Sequence, residues 1–513
     1  MPTDQGWTKA VFAASPDVAA VESGVGEFAE QLAQVQLGEV DVEQLTDLHK
    51  NLREQALRRA DRAFAVMLVW LLAATNLDGV AVQAFRDTTE GRWVNKGLRT
   101  VIVELPSGIE VPLKVTYLLH KKKRRAGRPK NHGNRGETGN GVYPALEALG
   151  IASHRRLTPL AEEVICQTAT ACDDFRTGFE MAKKMGVNMS WKAYHDRFGR
   201  LARDVEDRKE RWLRQGQGPT LYEPERWAGR RILVATDGGR TRIRENYKGA
   251  RRKSGYHGFD AEWREPKLFV IYALDEDGNP AKDVEPIVDG TFGDADACFA
   301  QLMKTLRAIG IDQAEQVAFL GDGARWIWQR ARPTLVELGV DEARIVEGID
   351  WYHAASTVAE LSELPQRWSE PKRRQWQKRT LDLLYEGKAD KVAEMVEKLS
   401  EVRGASEAAD KVDYFADNAE RMRYDKLRQR NLPEGSGAVE SAIRRVVNLR
   451  MKGNAKYWLE ENAEAMITLR GALKTSRFAR LMSWWRGHRS QFWTPTDQRF
   501  LRCDGRQDGR MAA

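Results

Sequence analysis

Two aspartates stand where apolar runs stop. Asp237 follows Ile232-Leu233-Val234-Ala235-Thr236, Asp322 follows Val317-Ala318-Phe319-Leu320-Gly321, and each is followed by a glycine. Glu440 lies in Glu434-Gly435-Ser436-Gly437-Ala438-Val439-Glu440-Ser441, in the first turn of an expected helix. Phosphodiester cleavage with two metal ions needs carboxylates from separate elements converging on Mg²⁺ or Mn²⁺ ions roughly 3.5–4 Å apart. Two strand ends and a helix start can supply that set, and glycine after an aspartate lets backbone approach a phosphate or metal closely. Plainer uses exist for each residue. Asp-Gly is a frequent turn, and with Gly437 as cap Glu440 is placed to reach back to backbone amides. Glu434 is the rival third ligand; Glu440 is preferred because its helix continues with Arg444, Arg445 and Arg450, able to face phosphates.

These acids need a scaffold. From Arg230 onward, strands are expected at 232–235, 268–274, near 286–288, 317–320 and 345–349, with helices over Phe299–Ile309 and from about Trp326. Strand, strand, strand, helix, strand, helix, strand is the order of a ribonuclease H-like core. A helical stretch over 354–432 then intervenes before Pro433-Glu434-Gly435-Ser436-Gly437, and reads as an all-α insertion. Within it Lys372-Arg373-Arg374-Gln375-Trp376-Gln377-Lys378-Arg379 interleaves Trp376 with basic residues, as surfaces tracking a nucleic-acid backbone do, or as a solvated helix face with one core Trp does.

Upstream, long helices are expected to about Leu77, then a hairpin from 98–105 and 111–119 around Pro106-Ser107-Gly108. Lys121 to Arg135 holds eight Lys or Arg and no acid, beginning Lys121, Lys122, Lys123, Arg124, Arg125; it reads as a basic linker, a tether or a phosphate contact. Residues 157–213 read as three helices, with Gly186 in the turn before a helix bearing Lys192, His195, Arg197 and Arg200. That is a helix-turn-helix pattern, shared by many plain helical hairpins. The expected organisation is N-terminal helices and hairpin over 1–120, linker 121–140, helical DNA-binding region 141–229, catalytic core 230–353, insertion 354–432, closing core helices 433–480 and tail 481–513. Removing 1–229 should on this basis leave a folded core.

Over its 513 residues the chain carries a formal charge of +8, with 42% hydrophobic residues and 16 Trp, which excludes a disordered chain and favours a polyanionic partner. Four cysteines without CxxC spacing fit neither a disulfide framework nor a zinc site. The longest apolar run, 63–75, is shorter than the ~20 residues a membrane helix needs. A soluble, cytoplasmic protein without membrane contact is expected.

Four segments resemble bacterial insertion-sequence transposases of the DDE class, in particular the ISKra-type group with Mutator-like features. They are the Asp237-Gly238 strand end, Gly321-Asp322-Gly323-Ala324-Arg325-Trp326-Ile327, Asp350-Trp351-Tyr352-His353 and Gly435-Ser436-Gly437-Ala438-Val439-Glu440. The likeness spans about 141–478 and includes Gly139-Asn140-Gly141-Val142-Tyr143-Pro144. It implies an RNase H-like catalytic domain with an all-α insertion, two Mg²⁺ or Mn²⁺ ions held by Asp237, Asp322 and Glu440, and accessory roles for Asp350, His353, Trp326 and Arg444. By residue type alone Asp350 caps a helix and His353 sits in its first turn; the resemblance sets them beside the metal site. Double-stranded DNA at element ends and target, a homo-oligomer on DNA and a nucleoid location are the implied context. Relatives often have cysteines after the N-terminal hairpin, where this chain has its basic run. Trp484, Trp485, Phe492 and Trp493 read as packing aromatics. The competing expectations are another RNase H-like nuclease, such as a junction resolvase, and a catalytically silent, domesticated DNA-binding protein.

Overall fold

The computed structural model describes residues 42–120, 141–215, 221–248, 258–435, 437–454 and 456–487. Lys121 to Arg125 and the rest of the basic linker, Ser436, Phe492, Trp493 and Cys503 lie outside the described residues. The chain divides into two compact units, one holding the described residues of Met1–Ala169, Phe175–Phe198 and Trp485–Ala513, the other Thr170–Asp174 and Gly199–Trp484. The division therefore does not fall at 230, where a domain boundary was expected.

In the first unit, α1 (Val42–Ala74) and α2 (Leu77–Thr88) precede a hairpin of β1 (Trp93–Glu104) and β2 (Glu110–His120). The strands pair antiparallel from Trp93↔His120 to Glu104↔Glu110, so β1 starts five residues before the apolar pattern does. The extra residues enter through a bulge between Asn95 and Leu98, with Gly97 at φ +79°. Alternation along the hairpin turns Val101, Val103, Val111, Leu113 and Val115 inward, onto Leu68, Ala81 and Phe85. A short strand β3 (Gly141–Val142) joins β2, followed by α3 (Pro144–Ala148) and α4 (Pro159–Ala171). Next, α5 (Phe175–Lys184) turns through Gly186, at φ +92°, into α6 (Trp191–Gln215). Gly178 is forced by packing: a Cβ there would lie 2.8 Å from the Thr168 carbonyl oxygen and 2.9 Å from the Tyr194 hydroxyl.

The second unit is a mixed α/β structure built on β4 (Arg231–Gly238), whose Ile232 to Ala235 are fully buried, as a central strand covered on both faces requires. An antiparallel ribbon, β5 (Thr241–Lys248) and β6 (Gly258–Arg264), follows; the apolar pattern did not announce it. Then come β7 (Lys267–Leu274), β8 (Ile287–Thr291), α7 (Ala295–Ala308), β9 (Gln316–Gly321), α8 (Arg325–Trp328), α9 (Ala331–Glu337) and β10 (Ile345–Ile349). The sheet order is β10-β9-β4-β7-β8, with β4, β9 and β10 parallel and β7 antiparallel to both its neighbours.

After β10 the chain is helical: α10 (Trp351–Glu363), α11 (Glu370–Tyr385), α12 (Ala389–Ser400), α13 (Val412–Asp417) and α14 (Tyr424–Gln429), with 3₁₀ turns between. It returns through α15 (Gly437–Ile443), which packs on β4 and β7. The single helix expected there is broken by a π turn at Arg444–Asn448 before α16 (Leu449–Met451). Then α17 (Glu460–Lys474) lies against β8, so close that a Cβ on Gly471 would stand 2.1 Å from the Val288 carbonyl oxygen. The last described helix is α18 (Phe478–Gly487), in which Trp484 and Trp485 are buried.

The second unit also contains residues 199–215 of α6. Lys209 is buried, its amine 2.9 Å from Asp289 on β8 and 2.7 Å from the Thr468 hydroxyl on α17. No single helix among the described residues is long and apolar enough to cross a membrane. Among the described residues Cys172 and Cys298 are free thiols.

Candidate active site

Three neighbouring parallel strands end in aspartate at one edge of the sheet. Ala235 of β4 is paired with Leu320 of β9, and Gly321 with Ile349 of β10. Two residues past the first pair are Asp237 and Asp322; one residue past the second are Asp322 and Asp350. The three therefore fall on one lateral row, at the ~4.8 Å strand spacing.

The electrostatics agree with that placement. Burial pushes the half-buried Asp237 carboxyl up to about 6; the Gly238 amide, donating at 2.7 Å, and His353 pull it down, while Asp322 and Asp350 push it up. Asp322 accepts the Ala324 amide at 2.8 Å, and its carbonyl accepts the Trp328 indole N–H at 2.7 Å, which holds the turn after β9. Asp350 is buried, and its carboxylate accepts the Tyr352 and His353 amides at 2.6 and 3.2 Å. It caps α10 and stands in the acidic row at once.

The helices between β10 and α15 close over this edge. Tyr414 of α13 lies against Gly323, where a Cβ would be 2.1 Å from its ring. Burial, then Asp322 and Asp350, hold its phenol well above the usual range. Tyr424 of α14 is fully buried, its hydroxyl has no hydrogen-bond partner among the described residues, and burial, Tyr414, Asp350 and Glu434 raise its pKa. A cleft of about 420 Å³ opens beside Gly323 and Tyr414, lined also by Arg325, Asp413, Asp417 and Arg421. Nothing in the sequence marked Tyr414 or Tyr424, because no local pattern reveals which insertion residues return to the sheet edge.

The remaining expected residues are placed as follows. Glu440 is exposed on α15, and among the described residues no hydrogen bond or ion pair links it to the three aspartates. Glu434 is half-buried, 2.6 Å from Arg428, and its carbonyl accepts the Trp351 amide. Trp326 is half-buried, edge-on to Phe299, with the Lys267 amine 5.8 Å from its ring centre; Lys267 is the cross-strand partner of Gly238. Arg444 is exposed. Arg450 cannot face a phosphate: it is buried and donates to the Asp173 carbonyl at 2.9 Å.

Of the other basic residues expected to meet DNA, Lys192 and Arg200 are exposed on α6. Arg197 instead pairs with Glu104 at the end of β1, Arg373 with Glu363 and Arg374 with Glu370. Trp376 is half-buried with its ring 6.2 Å from that of Trp368.

No family model, no curated protein and no solved structure matches the chain.

The donor set fits a hard divalent cation. Its oxygens come from carboxylates, a partly buried one of which is pushed toward its neutral form by burial and, to a lesser degree, by two like charges; a cation relieves that repulsion. The side chains are not posed as a closed cage: among the described residues no group of three or more His, Cys, Asp or Glu forms a ready metal site. Ions of this type keep several waters and take few protein ligands, so an open row of acids suits them.

Proposed function

We propose that the chain is a DNA transposase of the DDE class, which binds the ends of its own element, cuts phosphodiester bonds there and joins the freed 3′ hydroxyl to target DNA. The observation that carries the reading is the lateral row Asp237, Asp322 and Asp350 at the ends of β4, β9 and β10. A sheet with its first three strands antiparallel and two parallel strands added beside the first supports the reading of an RNase H-like core. On this reading the helices between β10 and α15 would be the all-α insertion such enzymes carry.

Asp237 and Asp322 would hold two Mg²⁺ or Mn²⁺ ions, with the third carboxylate drawn from Asp350, Glu440 or Glu434. Bound there, the metal supplies Lewis-acid polarisation of a phosphate and a more acidic water or 3′ hydroxyl. The protein's own groups position the strand: Asp350 orients the first turn of α10 and so His353, while Tyr414 and Tyr424 wall the acidic row from the insertion side. Lys192 and Arg200 on α6 and the basic linker are phosphate contacts in this reading, on a homo-oligomer assembled on duplex DNA at the nucleoid.

A resolvase-like nuclease would use the same acids without needing a long insertion, and a silent DNA-binding descendant would need no acids. A strand-transfer assay with Mg²⁺, on DNA ends taken from the flanks of the encoding element, separates the three. Cleavage with joining supports the proposal, branched-DNA cleavage alone points to a resolvase, and binding without either points to a silent protein.

A further inference from the structure

Gly239 and Arg240 lead from Asp237 straight into the β5–β6 ribbon. Directly opposed residues of an antiparallel pair share a face. Thr241 and Ile243, opposite Arg264 and Glu262, form the inner face and are buried. The Thr241 hydroxyl donates to the Met451 carbonyl at 3.0 Å, and the backbone of β5 exchanges hydrogen bonds with Trp458.

The other face points away from that anchor and is built differently. It carries Arg242 opposite Trp263, Arg244 opposite Ala261, and Phe259. Trp263 is 51% exposed, and Phe259 and Tyr457 are 38% exposed each. The guanidinium of Arg242 stands 4.8 Å from the Trp263 ring centre and 5.6 Å from that of Tyr457; Arg240 lies 5.7 Å from Trp263 and Arg244 5.7 Å from Phe259. Tyr457 meets Phe259 edge-on at 5.0 Å. Strand alternation puts the acids of β6, Asp260 and Glu262, on the opposite face from these groups.

Guanidiniums alternating with exposed rings, with the β6 acids Asp260 and Glu262 turned to the opposite face, match a flexible polyanion with flat, stackable faces. A paired duplex hides its base faces, so the rings are usable only by an unpaired strand. We propose that this face of the ribbon binds single-stranded nucleic acid, bases stacking on Trp263 and Tyr457 and phosphates meeting Arg240 and Arg242. The site deepens the catalytic reading, on which it rests only for its role: it would hold the unpaired strand beside the bond to be cut at Asp237.

The test is fluorescence polarisation of the full chain with a labelled DNA of about 20 nucleotides, single-stranded or as a duplex, in EDTA so that no cleavage intervenes. Trp263→Ala should weaken single-strand binding about tenfold, the size of one lost base stack, and duplex binding by less than about twofold. Trp263→Phe should keep affinity within about threefold, which separates stacking from misfolding. Arg242→Gln should lower the salt slope for the single strand by about 0.7, one phosphate's worth. Equal loss on both DNAs, or no loss on the single strand, overturns the site. So does an unchanged single-strand affinity combined with a Trp263→Ala drop in molecular mass by light scattering, which would assign the face to a second copy of this chain. If the wild type binds the single strand as expected yet cuts no DNA with Mg²⁺, the catalytic reading fails and this site stands.

Discussion

Asp237 and Asp322 stand side by side on adjacent parallel strands, each two residues beyond the paired Ala235 and Leu320. Between Arg231 and Asp237, and between Gln316 and Asp322, neither strand carries a charge, and both are buried through their apolar runs. The carboxylates thus meet where the sheet's cover ends. Burial and like charge then act together on Asp237, which is why its carboxyl is pushed up to about 6 while it still accepts the Gly238 amide.

Asp237→Asn and Asp322→Asn should each lower Mg²⁺-dependent cleavage at least about a hundredfold, with end binding changed less than about twofold, as measured by gel cleavage and mobility shift. Mg²⁺ should raise the melting temperature of the wild type and not of either variant, since an ion bound to the native state stabilises it by mass action. A full Mg²⁺ shift in either variant would remove that residue from the ligand set.

Asp350 separates two uses of one carboxylate. Asp350→Asn keeps a cap for α10, whereas Asp350→Ala loses it at a cost of about 1 kcal/mol. If Asp350 is the third metal carboxylate, the Asn variant should melt near the wild type yet cut poorly, and Glu440→Gln should cut normally. The reverse pattern, with Glu440→Gln inactive, assigns the third position to α15.

The buried ion group around Lys209 predicts a pH effect. Burial pushes Glu464 up to about 7 from an ordinary 4.5, opposed by Lys209 and by hydrogen bonds from the Thr291 hydroxyl and the Phe292 amide at 2.8 and 2.7 Å. A native state that holds its proton more tightly than the unfolded chain loses stability as pH rises from about 4.5 to about 7. Denaturant melts should show that fall, and Glu464→Gln should flatten it.

Residues 1–229 cannot be removed cleanly. The amine of Lys209 is held above its ordinary range, the carboxylates of Asp289, Glu206 and Glu464 outweighing the opposing effect of burial. A chain beginning at 230 leaves Asp289 and Glu464 without that cation. Breaking a buried pair costs about 3–5 kcal/mol. The truncated chain should show a broad, low thermal transition by circular dichroism, and Lys209→Met in the full chain should share much of the loss.

Gly471 opposes helix propensity to packing. Alanine gains about 1 kcal/mol in a helix interior, yet its Cβ would sit 2.1 Å from the Val288 carbonyl oxygen. Backbone cannot yield cheaply, so Gly471→Ala should be net destabilising by about 1–3 kcal/mol in a urea melt.

The sequence by itself determined the strands that run apolar and the acids that end them. Ile345–Ile349 was legible to the residue, since a mostly apolar strand between charged neighbours has sharp edges, and Asp237 and Asp322 were visible as the first charged groups past such runs. What lay beyond local pattern needed the fold. The register that sets Asp350 in one row with Asp237 and Asp322 is a property of three strands far apart in the chain. Lys209 reads as one more charge on an amphipathic helix until Asp289 and Thr468 close around it. Arg197, Arg373 and Arg374 read as free cations until carboxylates are found beside them. The β5–β6 ribbon is only half-covered, so its mixed polar and apolar alternation carried no strong period, and Tyr414 and Tyr424 return to the acidic edge on helices after β10 whose path only tertiary packing decides.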